Sequence, residues 1–318
     1  MTKKSLVLLA KIVISGLLLS WLIYSFDWIA LRDVFLTAQP GWLFLAVLLI
    51  IISMVVSVEK WSRILRAEGI NLPWLQLWKV YWIGIFFNNF LPSSIGGDGI
   101  RIVMTGRNIS NVAGAASSVI IERLLATVGL ALTGLVVLPI TNSNWYVGWL
   151  FIILILVAAG LLFFLMLGRI PVRVAKSDGK FSAFVRGFLS HGHALRGQKK
   201  MVITVLFLSV LFQLTVVAVN YAIFRGLHVD FLGWWDLVFI IPAISAIAMV
   251  PLGINGYGIR EGAYVLLLAS YGVTGSVALG ASLLFAVLVS FCSLYGGILW
   301  LANRGTGADG AGKEFSLT

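Results

Sequence analysis

Charged residues are scarce in this chain: they make up 11% of its 318 residues, against about 25% in a soluble domain. No stretch is polar and long enough to form a separate soluble domain. The single cysteine, Cys292, excludes an intrachain disulfide and a cysteine metal cluster. Nucleotide-binding P-loops, His/Cys metal-ligand spacings and Gly-x-Ser-x-Gly elbows are also missing, so we expect no enzymatic activity, no metal and no cofactor.

Long apolar runs dominate the rest of the sequence, because hydrophobic residues make up 60% of the chain. The runs are continuous rather than alternating, and several approach the roughly 20 residues that a membrane-spanning helix needs. The sequence therefore predicts an all-α, polytopic helical membrane protein. We expect spanning helices over residues 6–26, 41–58, 112–140, 145–168, 201–224 and 274–302.

A ten-residue motif occurs twice in these apolar surroundings. Pro92 to Arg101 and Pro251 to Arg260 both read P-x-x-I-x-G-x-G-I-R, and equivalent positions are offset by 159 in the numbering. Proline and glycine interrupt helices, and matched interruptions at bilayer depth are typical of transport sites. We predict a helix, a break and a second helix in each of two regions, 74–110 and 234–272, as a re-entrant hairpin or as two full crossings. The predicted break residues are Pro92, Gly96, Gly97, Gly99, Pro251, Gly256 and Gly258.

The net charge is +11, and the basic residues are concentrated in a few segments between the apolar runs. Under the positive-inside rule, segments 59–73 and 169–200 and the C-terminal tail face the cytoplasm, which explains the charge without nucleic acid as a partner. Each half of the chain then crosses the membrane three times, so the second half is upside down relative to the first. We predict two inverted repeats, 1–143 and 144–304, and a disordered tail, 305–318. Segment 169–200 is either an amphipathic interfacial helix or a solvated loop.

Ionisable residues near the breaks are the candidates for function, because a charge at the centre of a bilayer costs about 2.5–3.5 kcal/mol on insertion scales. Asp98 and Arg101 are three residues apart and share a helical face. Adjacent residues diverge on a helix, so the members of Glu122–Arg123 and of Arg260–Glu261 should each pair with another residue. The candidate substrate-binding residues are Arg101, Arg260, Glu122, Arg123, Asp98, Glu261, Asn89 and Arg107.

The two motif arginines, Arg101 and Arg260, are expected to meet near the middle of the membrane. A guanidinium group binds phosphate bidentately, and helix N-termini favour anions, so both features indicate an anionic group such as a lipid phosphate. A purely structural role, in which these charges pair to hold the broken helices together, stays open. Asp98 and Glu261 are expected to neutralise these cations, and Asn89 either caps a helix end or lines the cavity.

The residues Leu91 to Arg101, Ile121 to Leu124 and Pro251 to Glu261 resemble the lysylphosphatidylglycerol synthase transmembrane-region family, which includes UPF0104-type membrane proteins. The resemblance covers nearly the whole chain. In fused members this region looks like a flippase for aminoacylated phosphatidylglycerol, a lipid that a cytosolic transferase domain makes. No such domain follows the last apolar run, so the resemblance implies no synthase activity here. One departure is Leu283 to Ala286 in the final span, where family members often have an arginine.

Together, the residues and the resemblance favour a flippase or transporter of an anionic, aminoacylated or polyprenyl-phosphate lipid. The expected location is a prokaryotic cytoplasmic membrane, with both termini in the cytoplasm. Two alternatives stay open: a secondary transporter of a small anion, and a helper that presents lipid to a separate transferase. Membrane lipids are the expected partners, and a lipid-modifying transferase and an oligomer are further candidates. Without an ATP-hydrolysing motif, transport is expected to be downhill or coupled to an ion, with protonation of Glu122, Asp98 or Glu261 as a candidate step.

Overall fold

The computed structural model describes residues 32–33, 35–90, 96–141, 145–167, 179–249 and 258–306, and within these ranges it contains helices and no strand. The helices are α1 (Pro40–Ala67), α2 (Trp74–Phe90), α3 (Gly96–Asn108), α4 (Val112–Val137), α5 (Trp145–Leu167), α6 (Lys180–Ala194), α7 (Lys199–Gly226), α8 (Trp234–Ala248), α9 (Ile259–Ala269) and α10 (Gly275–Thr306). The predicted first span, 6–26, and residues 307–318 of the predicted tail lie outside the described residues.

Five of the described helices are long and apolar enough to cross a membrane. They lie at Pro40–Ala67, Val112–Val137, Tyr146–Leu167, Lys199–Gly226 and Gly275–Ala302. Each coincides with a span predicted from the sequence, so the prediction of a polytopic helical membrane protein is confirmed. The main difference is the end of α1, which continues to Ala67 although its apolar run stops at Val58. The extension matters because it carries a buried lysine described below.

The two interrupted regions form pairs of short helices. Helix α2 ends at Phe90 and α3 begins at Gly96, while α8 ends at Ala248 and α9 begins at Ile259. At a rise of about 1.5 Å per residue, these four helices are about 16 to 25 Å long, whereas the hydrocarbon core of a bilayer is about 30 Å thick. The two members of each pair also pack against each other. Of the two alternatives, the re-entrant hairpin is therefore the one that the helix lengths favour.

The helix contacts repeat between the two ends of the chain. Contacts α1–α2, α2–α3, α3–α4 and α1–α4 have counterparts in α7–α8, α8–α9, α9–α10 and α7–α10. Contacts across the two sets correspond as well: α2–α10 matches α4–α8, and α4–α7 matches α1–α10. Helices α1 and α7 share the most extensive contact and lie at the centre of this pattern. Two similarly packed halves would produce these correspondences, while the boundary near residue 143 and the inverted orientation stay predictions.

Segment 169–200 contains helix α6, so a helix rather than a fully irregular loop occupies its second part. Helix α6 packs against α4 and α5. Its apolar residues join a buried cluster with Ile64 of α1, Leu125 of α4 and Val205 of α7. This packing brings α6 next to the turns that follow α1 and α3. It also positions the imidazole of His191 against Asn111 in the turn before α4.

Candidate functional site

A cluster of charged side chains lies between the first four helices. Its five members are Lys60 of α1, Asp98 and Arg101 of α3, and Glu122 and Arg123 of α4. Three are cations and two are anions, so one positive charge is left over within the cluster. Four of the five were candidates from the sequence, and the structure shows that they form one connected network rather than isolated pairs.

Arg101 is the centre of this charge cluster. Its side chain is only 3% exposed, and Nη2 donates to Glu122 Oε2 at 2.5 Å. Its Nη1 donates to Asp98 Oδ1 at 3.2 Å, which is the pairing that the three-residue spacing indicated. Glu122 Oε1 also accepts from the hydroxyl of Tyr81 at 3.4 Å and lies 3.8 Å from Nζ of Lys60. The Arg101–Glu122 ion pair therefore connects α3 to α4, and the contact of Lys60 with Glu122 connects α1 to the same carboxylate.

Asp98 joins Arg101 to Arg123. Arg123 donates to both carboxylate oxygens of Asp98, from Nε at 2.8 Å and from Nη2 at 3.0 Å. This two-bond geometry is the strong form of an arginine–carboxylate pair. The side chain of Arg123 is 55% exposed, so it forms the rim of the cluster, whereas Arg101 is enclosed. As expected from their adjacent positions, Glu122 and Arg123 contact different partners.

Aromatic rings enclose the buried cations. The guanidinium carbon of Arg101 lies 4.3 Å from the ring centres of both Trp61 and Tyr81. The ammonium group of Lys60 lies 4.5 Å from the centre of the Phe212 ring. The faces of aromatic rings attract cations, and they exclude water at the same time. Trp61 is held in turn by a hydrogen bond from Nε1 to the hydroxyl of Ser118 at 3.1 Å.

Glycines allow α3 to approach α2 closely enough for this network. A methyl group on Gly84 would meet Cγ of Arg101 at 2.7 Å, and a methyl group on Gly97 would overlap the carbonyl oxygen of Gly84. Asn88 Oδ1 accepts from the amide of Gly97 at 3.4 Å, which fixes the first turn of α3.

The positions of these glycines correct one prediction. Gly96, Gly97 and Gly99 were expected to form the break, but they lie in the first turn of α3. For Gly97 the reason is packing, because a glycine on a helix lets two backbones approach closely, and the same glycine in a sequence pattern indicates a helix interruption.

The second motif has a different arrangement. Gly258 precedes α9 with a φ of 84°, a conformation that glycine adopts without strain, as a break residue should. Its amide donates to Glu261 Oε2, and Arg260 Nη2 donates to Glu261 Oε1 at 3.2 Å. The expectation that Arg260 and Glu261 would not pair is therefore wrong. The side chain of Glu261 turns back to cap the start of the helix, and that rotation brings its carboxylate beside the neighbouring guanidinium.

A cavity of about 230 Å³ lies beside Arg260. Helices α7, α8, α9 and α10 surround it, and its polar lining is Asn220, Ser245, Arg260 and Tyr264. Tyr264 donates to Asn220 Oδ1 at 2.5 Å, and both residues are buried. The guanidinium carbon of Arg260 lies 5.9 Å from the centre of the Phe285 ring. Phe285 belongs to the final described span, α10.

The two motif arginines belong to different surroundings. Arg101 forms ion pairs with Asp98 and Glu122, whereas Arg260 forms one with Glu261. Their helices have different neighbours as well: α3 packs against α2 and α4, and α9 packs against α8 and α10. The described contacts thus form two separate clusters, and a single chamber shared by both guanidinium groups stays a prediction.

The remaining candidates are distributed as follows. Arg107 lies exposed in the last turn of α3 and makes no ion pair with the described part of the chain. Asn89 lies at the end of α2 with a buried Nδ2 that donates no hydrogen bond to any described residue. The break residues Pro92, Pro251 and Gly256 lie outside the described residues.

Lys60 is the principal residue that sequence reasoning missed. It was assigned to a cytoplasmic segment because the apolar run ends at Val58, yet its side chain is 2% exposed. A signal was present: Ser57, Trp61 and Ile64 continue the helical spacing of buried residues on either side of Lys60. Tyr81, Asn220 and Tyr264 carried no comparable signal, because their roles depend on helices that are distant in sequence.

The fold and the buried charges define a class of protein: a polytopic helical membrane protein with ionic clusters between short paired helices. Residues 8–296 match the family described as the lysylphosphatidylglycerol synthase TM region, and the chain belongs to that family. It is similar to the UPF0104 membrane protein PH1989 of Pyrococcus horikoshii, with 25% identity over 302 residues. The match covers 84% of this chain and 88% of that relative. Membership of this family is compatible with a lipid-related function in a membrane.

Proposed function

We propose that this protein moves a lipid with a phosphate-bearing head group across the cytoplasmic membrane. The observation that carries the proposal is the cavity beside Arg260, a cation between apolar helices. Its carboxylate partner, Glu261, is also engaged with the amide of Gly258. Guanidinium is the side-chain group that best matches phosphate oxygens, and the amide, hydroxyl and phenol groups of Asn220, Ser245 and Tyr264 supply further polar contacts.

The size of the cavity supports a head group rather than a whole lipid. Its volume of about 230 Å³ is below the roughly 300–1,000 Å³ of pockets that enclose a drug-sized molecule. A phosphate head group could enter such a cavity while the acyl chains remain outside among the membrane lipids. A separate groove of about 560 Å³ between α1, α2 and α10 is lined by apolar side chains, including Ile51, Trp82 and Ile298. That groove favours a lipid over a small soluble anion.

The Arg101 cluster supports the proposal in a second way. Ionisable residues inside membrane-spanning helices are costly and commonly mark transport pathways. This cluster contains one more cation than anions, and Lys60 reaches its carboxylate only at 3.8 Å. A phosphate group passing near α1 and α4 would complete the charge balance. The cluster therefore provides a second place where an anionic head group can be stabilised.

The repeated helix contacts suggest how the lipid would cross. We propose that the halves 1–143 and 144–304 are inverted repeats that rock against each other about the α1–α7 contact, with both termini in the cytoplasm. Each re-entrant hairpin would then open its cluster to one leaflet in turn. The proposal contains no enzymatic step, and a transferase would act on the lipid separately, before or after transport.

A translocation assay tests the proposal. Purified protein is reconstituted into vesicles that contain a fluorescent phosphatidylglycerol, and a membrane-impermeant quencher reports the fraction that reaches the outer leaflet. We expect Arg260→Ala to lower the translocation rate at least tenfold and Arg260→Lys to restore only part of it, because lysine lacks the planar fork of donors. Arg66→Ala is the matched control, since Arg66 is an exposed arginine in the last turn of α1, and it should leave the rate unchanged.

Three other results would contradict the proposal. Equal rates for wild type and Arg260→Ala would exclude the cavity as the head-group site. Uptake of soluble phosphate without lipid movement would favour the small-anion transporter. Lipid binding without movement in any vesicle would favour a helper that presents lipid to a transferase.

A further inference from the structure

The carboxylates that the sequence offered as proton carriers are all held by arginine. The pairs are Glu122–Arg101, Asp98–Arg123 and Glu261–Arg260. Each of these carboxylates is therefore engaged by a guanidinium group, which stays charged at any working pH. A group that binds and releases a proton in each transport cycle needs different surroundings.

Glu68 has such surroundings. It directly follows α1, its side chain is 0% exposed, and neither carboxylate oxygen accepts a hydrogen bond from the described part of the chain. The hydroxyl of Ser117 on α4 lies beside the carboxyl group but outside hydrogen-bonding geometry. An unpaired charge at such a position is costly, so the neutral acid is favoured, and burial raises the pKa of Glu68 to about 8.

His191 is the ionisable neighbour of Glu68. Its Nδ1 lies 3.9 Å from Glu68 Oε2, and its Nε2 lies 2.7 Å from Asn111 Nδ2. Because the amide nitrogen of Asn111 is a donor, Nε2 must accept, and the neutral imidazole then carries its proton on Nδ1, facing Glu68. Burial lowers the pKa of His191, which favours this neutral form. No other described charged group on the surrounding helices forms an ion pair with Glu68.

These residues connect the two turns that flank the first hairpin. Glu68 lies between α1 and α2, and Asn111 lies between α3 and α4, where its Oδ1 accepts from the amide of Gly114 at 2.9 Å. His191 belongs to α6, so its contacts with Glu68 and Asn111 connect α6 to both turns. Gly114 packs against the imidazole ring so closely that a methyl group there would meet Nε2 at 3.0 Å. The packing of the His191 imidazole against α4 is therefore sensitive to substitution of Gly114.

We propose that Glu68 and His191 form a proton-binding site that couples protonation to movement of the α2–α3 hairpin. With the proton on Glu68, the turns and α6 stay packed around a neutral pair. Loss of that proton leaves a buried carboxylate beside a neutral imidazole, and the contact opens so that water reaches the anion. Helices α2 and α3 carry Tyr81, Asp98 and Arg101, so this opening would be transmitted to the charge cluster. The role in transport rests on the proposed function, whereas proton binding does not.

The pH dependence of stability has a definite sign. The ordinary pKa of a glutamate is 4.5 and that of folded Glu68 is about 8, so between these values the folded protein binds a proton that the unfolded chain has lost. Stability therefore falls as the pH rises through this window. His191 acts in the opposite direction, but only below its ordinary pKa of 6.5. From pH 6.5 to 9, we expect Glu68 to lower the folding equilibrium constant by about 30-fold, or about 2 kcal/mol.

The first test uses the full chain in lipid nanodiscs. Thermal unfolding from pH 6.5 to 9 should show the expected loss of stability in the wild type and a flat profile in Glu68→Gln, which keeps the size of the neutral acid. Infrared spectroscopy should show a carboxylic-acid band that titrates near pH 8 and is missing from the variant. Glu59→Gln is the matched control, because Glu59 is a partly exposed glutamate near the end of α1 that pairs with Arg63. A flat wild-type profile, or an unchanged slope in Glu68→Gln, overturns the proton site.

The second test measures fluorescent-lipid translocation with and without a pH gradient across the vesicle membrane. We expect the wild-type rate to change several-fold with the gradient and Glu68→Gln to lose that dependence while it still moves lipid. If the wild-type translocation rate does not depend on the pH gradient, the proposed coupling is overturned, whereas the proposed lipid transport is not. No translocation in any vesicle, with the Glu68 band still titrating, overturns the proposed function and the coupling together, although proton binding itself stands.

Discussion

Lys60 provides a test that separates the stability of the charge cluster from its function. Its ammonium group is buried, and its carboxylate partner, Glu122, is already engaged by Arg101 at 2.5 Å. At an effective dielectric constant of about 20, an attraction over 3.8 Å amounts to about 4 kcal/mol. Desolvation of the ammonium group costs several kcal/mol, and the neighbouring guanidinium groups repel it. These contributions nearly cancel, so Lys60 adds little net stability.

The perturbation is therefore Lys60→Met, which keeps the apolar stem and removes the charge. We expect the free energy of unfolding to stay unchanged or to rise by up to about 2 kcal/mol. Glu122→Ala should have the opposite effect and cost about 3–5 kcal/mol, because it leaves Arg101 and Lys60 buried without their carboxylate. At about 2 °C per kcal/mol, the melting temperature should rise by up to about 4 °C in the first variant and fall by about 6–10 °C in the second.

Tryptophan fluorescence during heating, on protein in one detergent, measures both shifts. Lys79→Met, which removes an exposed lysine from α2, is the matched control and should melt with the wild type. Lipid translocation by Lys60→Met should fall at least tenfold despite its intact fold, because the surplus cation is gone. If Lys60→Met lowers the melting temperature as much as Glu122→Ala, the reasoning is refuted and the lysine is a structural ion-pair partner.

Two further predictions concern helix packing. Gly97→Ala should lower the free energy of unfolding by about 1–3 kcal/mol, because the added methyl group overlaps the carbonyl of Gly84. Gly99 lies in the same helix turn, but a methyl group there meets open space, so Gly99→Ala should raise the free energy of unfolding by up to about 1 kcal/mol. Similar melting temperatures for the two alanine variants would contradict the close α2–α3 contact. Tyr264→Phe should cost about 1–3 kcal/mol, because the buried Oδ1 of Asn220 loses its donor. A neutral effect in chemical unfolding would show that this hydrogen bond is not formed in the membrane protein.

Much of the fold could be predicted because its signals are local. A continuous apolar run of about 20 residues can satisfy its backbone inside a bilayer only as a helix, so the spans followed from composition alone. The paired interruptions were equally visible, since proline and glycine act on the backbone where they occur. Their boundaries were less certain, because Gly96, Gly97 and Gly99 lie inside a helix, where Gly97 allows close contact with α2, and a sequence pattern does not distinguish that role from a break.

The candidate site could be predicted only in part. Charged residues in apolar surroundings identified Arg101, Glu122 and Asp98 as functional candidates, since each charge there is costly and needs a partner. Lys60 was missed because it follows the apolar run, where a lysine ordinarily faces water. The pairing of Arg260 with its neighbour Glu261 was also missed. The carboxylate of Glu261 turns back to cap the start of α9, and the spacing of residues in the sequence does not predict that side-chain conformation.

The sequence by itself determined that this chain is a helical membrane protein, where the five described spans lie and which two regions are interrupted, because the bilayer imposes length and polarity rules on each segment separately. The tertiary structure alone decided which charges meet. It brought Lys60 to Glu122 across 62 positions and enclosed Glu68 against a helix more than 100 residues further on. Such contacts depend on how the helices pack against one another. The electrostatic energy of a charge depends on its distance from other charges and on its burial, and the sequence of a single segment specifies neither the distance nor the burial.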